Sequence, residues 1–127
     1  MEGGRPIRVL VVDDHQIFTH ALTTVLSQDG RFEVVGTAAT GREAVRLAKT
    51  AEAEVVLMDM SMPVLDGPAA TRRLVALDHA PCVIALSGHT DSLSRAAALE
   101  AGASAFVTKS EAFDELVGTI LTTLERR

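Results

Sequence analysis

The chain alternates between two kinds of segment along its whole length. Short runs rich in β-branched and other apolar residues occur at residues 7–12, 33–37, 55–58, 82–86 and 103–107. Four of these runs are nearly continuous in apolar character, which is typical of strands that are covered on both faces of a parallel sheet. The run at 33–37 is more mixed, because Glu33 and Gly36 interrupt it. We therefore expect that run at an edge of the sheet.

The segments between these runs have the apolar periodicity of helices. Thr40 and Glu43 have the spacing of a capping box at the start of the second helix. Gly102 is expected to end the fourth helix, and Ser110 is expected to cap the fifth. The apolar stripes of the first and last helices are predicted to be Ile17, Phe18, Ala21, Leu22, Val25 and Leu26, and Leu116, Val117, Ile120, Leu121 and Leu124.

Five β–α units in a row predict an α/β fold. The expected architecture is a flavodoxin-like, doubly wound sheet of five parallel strands in the order 2-1-3-4-5, with five helices. The units span about residues 7–28, 33–52, 55–77, 82–102 and 103–126, and no linker separates them, so residues 1–127 are expected to form one domain. In such sheets the functional crevice lies beyond the carboxyl ends of the strands, between the first and the third.

Composition restricts the partners and the compartment. Apolar residues make up 47% of the chain, enough for a core, whereas aromatic residues make up 3% and include neither Trp nor Tyr. The net charge is −5 without a long basic stripe, so we expect no direct binding of nucleic acid. The single Cys82 excludes an internal disulfide and a multi-cysteine zinc site. Since no apolar run approaches the ~20 residues that span a bilayer, and no cleavable signal is recognised, we expect a cytoplasmic protein without a membrane partner.

Charged and hydroxyl side chains follow the predicted strands. Asp13 and Asp14 follow the first strand, Asp59 the third, Ser87 the fourth and Lys109 the fifth. Mg²⁺ relieves the repulsion between clustered carboxylates, and a lysine supplies a charge for a phosphate. The set therefore predicts phosphoryl transfer with one carboxylate as the nucleophile. Taken singly, each aspartate is also typical of a helix cap or turn, and Lys109 of a surface lysine.

Longer motifs carry a resemblance to a known family. The most specific is the string Asp-x-x-Met-Pro-x-x-Asp-Gly that begins at Asp59. Over essentially the whole chain, the sequence resembles the receiver domains of two-component response regulators. The segments that carry the family resemblance are 11–15, 57–67, 86–88 and 101–109. Asp14, His15 and Phe18, together with residues 35–41, resemble the corresponding positions in the subfamily whose receivers precede a LuxR-type helix-turn-helix domain.

The resemblance implies a role for each charged residue at the strand ends. Asp59 is implied as the phosphoacceptor, which takes phosphate from the phosphohistidine of a sensor histidine kinase. Asp14 and Asp59 are implied as direct Mg²⁺ ligands together with the backbone carbonyl of Ser61, while Asp13 acts mainly through water. Lys109 is implied to pair with the phosphoryl group.

The resemblance also implies a switch and a set of rate-tuning positions. Ser87 would hydrogen-bond the phosphoryl group, and Phe106 occupies the position of the switch aromatic, without the hydroxyl of a tyrosine. Ser61 and His89 would influence the rate of dephosphorylation. Ser110 stands where many receivers have proline; a cis bond there would cost about 3–4 kcal/mol, so none is presumed.

The leading hypothesis is a phosphorylation-controlled switch that controls output, with transcription as the expected readout, rather than an enzyme acting on an outside substrate. The expected partners are a sensor histidine kinase, a second copy of the chain after phosphorylation, and DNA only through an output domain outside this chain. A hydrolase would need a carboxylate where Ser61 stands, and a flavodoxin-type nucleotide site would suffer repulsion from Asp13 and Asp14. A pseudo-receiver that binds partners without phosphorylation is the remaining alternative.

Overall fold

The computed structural model describes residues 4–61, 67–88 and 92–126. Within these ranges, strands and helices alternate strictly, as the sequence predicts. The elements are β1 (Ile7–Val12), α1 (Gln16–Ser27), β2 (Phe32–Ala38), α2 (Gly41–Thr50), β3 (Val55–Asp59), α3 (Gly67–Val75), β4 (Cys82–Ser87), α4 (Ser92–Ala101), β5 (Ala105–Thr108) and α5 (Ala112–Glu125). None of these helices is both long enough and apolar enough to cross a membrane.

The strands form one parallel sheet in the order β2-β1-β3-β4-β5, which confirms the predicted topology. The mixed second run is an edge strand, and the central strands β1, β3 and β4 are almost completely buried. Alternate residues of β1 face two separate cores. Val9 and Val11 pack with α1 and α5, whereas Leu10 and Val12 pack with α2, α3 and α4. Helices on both faces explain the continuous apolar runs.

The predicted ends of α2 and α4 are confirmed. The Thr40 hydroxyl accepts a hydrogen bond from the Glu43 amide, and the Glu43 carboxylate accepts one from the amide of Ala39. Gly102 follows α4 with φ +113°, a left-handed conformation that side chains other than glycine rarely adopt. The fifth strand begins two residues later than the predicted 103, because the amide of Ala103 still bonds to the carbonyl of Ala98 in α4.

One prediction about a helix end and one about a helix face are wrong. Ser110 does not cap α5; Glu111 holds the cap position, while the Ser110 hydroxyl lies 3.2 Å from that of Thr108. Two residues of the expected apolar stripe of α1 are exposed, Ile17 at 89% and Val25 at 37%. Ile17 and the buried Leu26 are nine residues apart in sequence, which at 3.6 residues per turn places them on roughly opposite sides of the helix.

Thr71 on α3 is fully buried, and its hydroxyl oxygen has no hydrogen-bond partner in the described part of the chain. A buried hydroxyl without a partner carries a desolvation cost, and valine fills nearly the same volume without that cost. Thr71→Val is therefore expected to raise the free energy of unfolding by about 1 kcal/mol, measured by urea denaturation. Thr50→Val is the control, because the Thr50 hydroxyl is exposed and bonds to the carbonyl of Arg46. Equal or lower stability of Thr71→Val would contradict the prediction.

Candidate functional site

The carboxyl edge of the sheet brings the predicted acidic residues and the lysine together. Asp13 and Asp14 directly follow β1, Asp59 is the last residue of β3, and Lys109 follows β5. Carboxylate oxygens of the three aspartates and a ring nitrogen of His15 all lie within 4.8 Å of one another. Parallel strands in this order necessarily present their carboxyl ends at one edge, which explains the convergence of residues that are far apart in sequence.

Lys109 is the cation of this cluster. Its Nζ lies 2.6 Å from Oδ2 of Asp13 and 3.5 Å from Oδ2 of Asp59. The backbone amide of Lys109 donates to the carbonyl of Ser87, at 2.8 Å, and thereby ties the end of β5 to the end of β4. The peptide bond between Lys109 and Ser110 is trans. The ammonium is thus held between the two buried carboxylates.

Asp59 is completely buried, and only one of its two carboxylate oxygens accepts a hydrogen bond from the described residues. Its Oδ1 accepts a hydrogen bond from the amide of Ser61 at 3.0 Å, whereas Oδ2 accepts none from the residues that the structure describes. Burial raises the pKa of the Asp59 carboxyl, and the negative charge of Asp13 raises it further. The Ser61 amide and the Lys109 ammonium oppose that pKa shift in part.

His15 belongs to the cluster, although the sequence alone did not predict it. Its Nδ1 lies 3.0 Å from Oδ1 of Asp13, 3.4 Å from Oδ1 of Asp14 and 3.2 Å from Nζ of Lys109. No ligand spacing links the chain's histidines to one another. The available signal was that His15 directly follows Asp13 and Asp14 at the end of a strand.

The donor set fits a hard divalent cation. Mg²⁺ takes oxygen ligands, usually one or two carboxylates completed by water and phosphate oxygens. Here three carboxylates converge, and the buried Oδ2 of Asp59 has no hydrogen-bond donor in the described ranges. Asp14 is more exposed than Asp13 and Asp59, so the cluster is open to solvent on its side. Ser61, the predicted carbonyl ligand, is exposed beside Asp59 and contacts it through its amide.

The predicted switch residues lie on the two neighbouring strands. Ser87 is buried at the carboxyl end of β4. Phe106 is half-buried on β5, and the guanidinium carbon of Arg95 on α4 lies 5.7 Å from the centre of its ring. His89, the predicted rate-tuning residue, lies outside the described residues, and its role stays a prediction.

Gly67 is a second residue whose importance the sequence analysis missed. It begins α3 and is buried against the end of β3. A Cβ at this position would lie 2.4 Å from the carbonyl oxygen of Asp59 and 2.5 Å from Cα of Met60. Glycine therefore allows α3 to start directly against the backbone that carries Asp59. The sequence signal was that Gly67 is the last residue of the string Asp-x-x-Met-Pro-x-x-Asp-Gly and directly precedes Pro68.

Comparison with known proteins decides the family. A family model described as the response regulator receiver domain matches residues 9–121. The chain belongs to the response regulator receiver family. It is similar to the response regulator UvrY of Escherichia coli K12, with 37% identity over 114 residues that cover 90% of this chain and 52% of UvrY. The chain thus spans about half the length of that relative.

Solved receiver structures agree with this fold and with the predicted subfamily resemblance. The signal receiver domain of the response regulator NarL from Mycobacterium tuberculosis has a TM-score of 0.91 and 31% identity, covering 98% of this chain and 100% of that one. A LuxR-family two-component response regulator from Aurantimonas sp. SI85-9A1 has a TM-score of 0.88 and 34% identity, covering 96% and 87%. The chain is therefore a receiver domain of the two-component type, similar to LuxR-family members.

Proposed function

We propose that this receiver domain is phosphorylated on Asp59 and that Asp13, Asp14 and Lys109 make the transfer possible. The observation that carries the proposal is the placement of the Asp59 carboxylate: it is buried, its Oδ2 accepts no hydrogen bond from the described residues, and a lysine ammonium lies 3.5 Å away. A carboxylate oxygen that accepts no hydrogen bond keeps its lone pairs for a nucleophilic attack.

The transfer exchanges one bond to phosphorus for another. Oδ2 of Asp59 forms a bond to phosphorus while the bond between phosphorus and the imidazole nitrogen of the donor phosphohistidine breaks, and the bonding pair leaves with that nitrogen. The Lys109 ammonium, already between Asp13 and Asp59, faces the oxygens of the incoming phosphoryl group and attracts their charge. The Ser61 amide fixes the carboxylate through Oδ1 and so directs Oδ2 toward the donor.

We assign Mg²⁺ to the acidic cluster. Asp14 and Asp59 would hold the ion together with the Ser61 carbonyl, and Asp13 would act mainly through water. When bound, Mg²⁺ neutralises charge on the carboxylates and on the transferring phosphoryl group. Asp13 keeps a second role in any case, since its Oδ2 holds the Lys109 ammonium at 2.6 Å.

Phosphorylation of Asp59 would be read out through residues on the neighbouring strands β4 and β5. Ser87 would bond the phosphoryl group, and Phe106 would change its position on β5, so that the surface near α4 and α5 controls dimerisation and output. Receivers of this family interact with sensor kinases, and we propose a sensor histidine kinase as the phosphoryl donor. The transfer would take place in the cytoplasm. The similarity to a LuxR-family response regulator supports the further proposal of transcriptional output through a DNA-binding domain outside this chain. The domain itself would turn over no separate substrate.

The test is the incorporation of phosphate from a small donor. Incubation with phosphoramidate and Mg²⁺ is expected to add one phosphoryl group, measured by intact-protein mass spectrometry, and EDTA is expected to prevent the addition. Asp59→Asn should gain no phosphate, because an amide oxygen is a far weaker nucleophile than a carboxylate.

Asp78→Asn is the matched control, since Asp78 is an exposed aspartate distant from the cluster. It is expected to take up phosphate at the rate of the parent. Phosphate on the Asp59→Asn protein, or uptake by the parent that is indifferent to EDTA, would contradict the proposal.

A further inference from the structure

The ammonium of Lys109 has an aromatic neighbour that the mechanism above does not use. Its Nζ lies 5.0 Å from the centre of the Phe18 ring on α1, within the range of a cation–π interaction. The carboxylates of Asp13 and Asp59 contact the same ammonium. The Lys109 side chain is only 18% exposed. The ammonium is therefore enclosed by two negative groups and one aromatic ring.

Phe18 is itself supported from α5. The rings of Phe18 and Phe113 are 5.7 Å apart at an interplanar angle of 69°, which is the edge-to-face arrangement that aromatic pairs favour. Phe18 is half-buried, and Phe113 is 45% exposed. This contact fixes the plane of the Phe18 ring and bridges α1 to α5 beside the cluster.

A lysine needs such support more than most site residues. Its ammonium sits on a flexible stem of four carbons and is strongly hydrated when free, so its position is set by what surrounds it. His15 offers a competing contact, because its Nδ1 lies 3.2 Å from the same Nζ. A ring that attracts the ammonium reduces its freedom to leave the space between Asp13 and Asp59.

We propose that Phe18, supported by Phe113, is a positioning residue that holds the Lys109 ammonium where a phosphoryl group on Asp59 would need it. The inference rests on the proposed function for its consequence, the phosphorylation rate, and on the geometry alone for the placement of Lys109. The ring acts through the negative charge of its face rather than through its volume.

The placement is measured in the metal-free protein by nuclear magnetic resonance. The chain has two lysines, Lys49 and Lys109, so labelling lysine with carbon-13 at the ε position gives two signals. The ε-methylene of Lys109 is expected to be shifted upfield by the ring, and Phe18→Leu should abolish that shift. Phe18→Tyr, which retains the ring, should preserve it. Lys49 is exposed on α2 and serves as the internal reference.

The effect of Phe18 on the phosphorylation rate is measured with phosphoramidate and Mg²⁺. Phenylalanine at position 18 is replaced by its mono-, di- and trifluorinated analogues, which weaken the ring face with little change in shape. The phosphorylation rate is expected to fall stepwise, by about five-fold for the trifluorinated ring, as expected for a partly exposed cation–π contact. The same series at Phe32, whose ring faces Arg31 away from the cluster, should leave the rate unchanged.

An unshifted Lys109 signal in the parent, or equal rates across the fluorinated series at position 18, would overturn the inference. The fluorinated proteins keep the size of the side chain. If Phe18→Leu fails to fold, the fluorinated series therefore still tests whether the Phe18 ring positions Lys109. A parent that takes up no phosphate would overturn the proposed function, and the carbon-13 signals would then still decide whether Phe18 holds Lys109.

Discussion

In metal-free buffer at neutral pH, Asp59→Asn is expected to raise the midpoint of thermal unfolding by about 3–8 °C, or roughly 1–2 kcal/mol. Asp59 is fully buried beside Asp13, and both burial and that neighbouring charge raise the pKa of its carboxyl. An ionised Asp59 therefore destabilises the folded state. The amide removes the charge without leaving Lys109 unpaired, because Asp13 lies 2.6 Å from its ammonium.

The raised pKa of Asp59 also makes the stability of the protein depend on pH. A carboxyl whose pKa is higher in the folded state binds its proton more tightly there, so folding is favoured where the group is protonated. The destabilisation is absent well below the ordinary pKa of 3.8, and it grows as the pH rises through that value to the raised pKa of the folded state. The stability difference between Asp59→Asn and the parent should therefore be small in acid and largest at neutral pH, as measured by urea denaturation across the pH range.

Adding Mg²⁺ should reverse the order of the two melting midpoints, so that the parent becomes more stable than Asp59→Asn. An ion that binds only the folded parent stabilises it by about 2.7 kcal/mol at one hundred times its dissociation constant, whereas Asp59→Asn has lost one of the proposed ligands. Asp78→Asn is again the control, and its melting midpoint should follow that of the parent with and without Mg²⁺. A lower midpoint for Asp59→Asn in EDTA would mean that the ionised carboxylate stabilises the fold through its contacts with Lys109 and Ser61.

The fold was predictable because one physical constraint dominates it. Strands covered on both faces must be apolar throughout, and Val9 to Val12 meet that condition by packing alternately into the two cores. The site followed from the fold, since parallel strands place Asp13, Asp59 and Lys109 at one edge. Two local features of the sequence were enough to predict the fold and the residues that meet at the sheet edge. They are the continuous apolar runs and the polar residues that follow these runs.

What the sequence could not predict depends on the relative placement of separate elements. The stripe on α1 had an ambiguous phase, and only packing on the sheet turned Leu26 inward and left Ile17 exposed. The contact between Phe18 and Lys109 joins α1 to the end of β5, and no local pattern encodes it. Ser110 has the chemistry of a cap, but the turn after β5 assigns that position to Glu111.

Gly67→Ala is expected to lower the free energy of unfolding by about 2–3 kcal/mol, and to lower the melting midpoint correspondingly by roughly 5–10 °C. The added methyl would lie 2.4 Å from the Asp59 carbonyl oxygen and 2.5 Å from Cα of Met60. Both are backbone atoms, so no side-chain rotation relieves the overlap, and either α3 or the end of β3 must move. Because Asp59 is part of that backbone, the phosphorylation rate with phosphoramidate should fall by as much as about 100-fold, the cost typical of a misplaced reacting group.

Gly118→Ala makes the same chemical change at a position where the added methyl group has open space. Gly118 lies within α5, and a Cβ there meets no heavy atom within 4 Å. Alanine is favoured over glycine inside a helix by about 1 kcal/mol, so this variant should be more stable than the parent and should take up phosphate at the parental rate. Thermal unfolding and phosphate uptake are measured on both variants. The comparison distinguishes the general effect of replacing a glycine by alanine from the specific effect of the close backbone approach at Gly67. Parental stability together with parental phosphorylation in Gly67→Ala would mean that α3 shifts away from β3 without disturbing Asp59, and that the start of this helix does not determine the position of the phosphoacceptor.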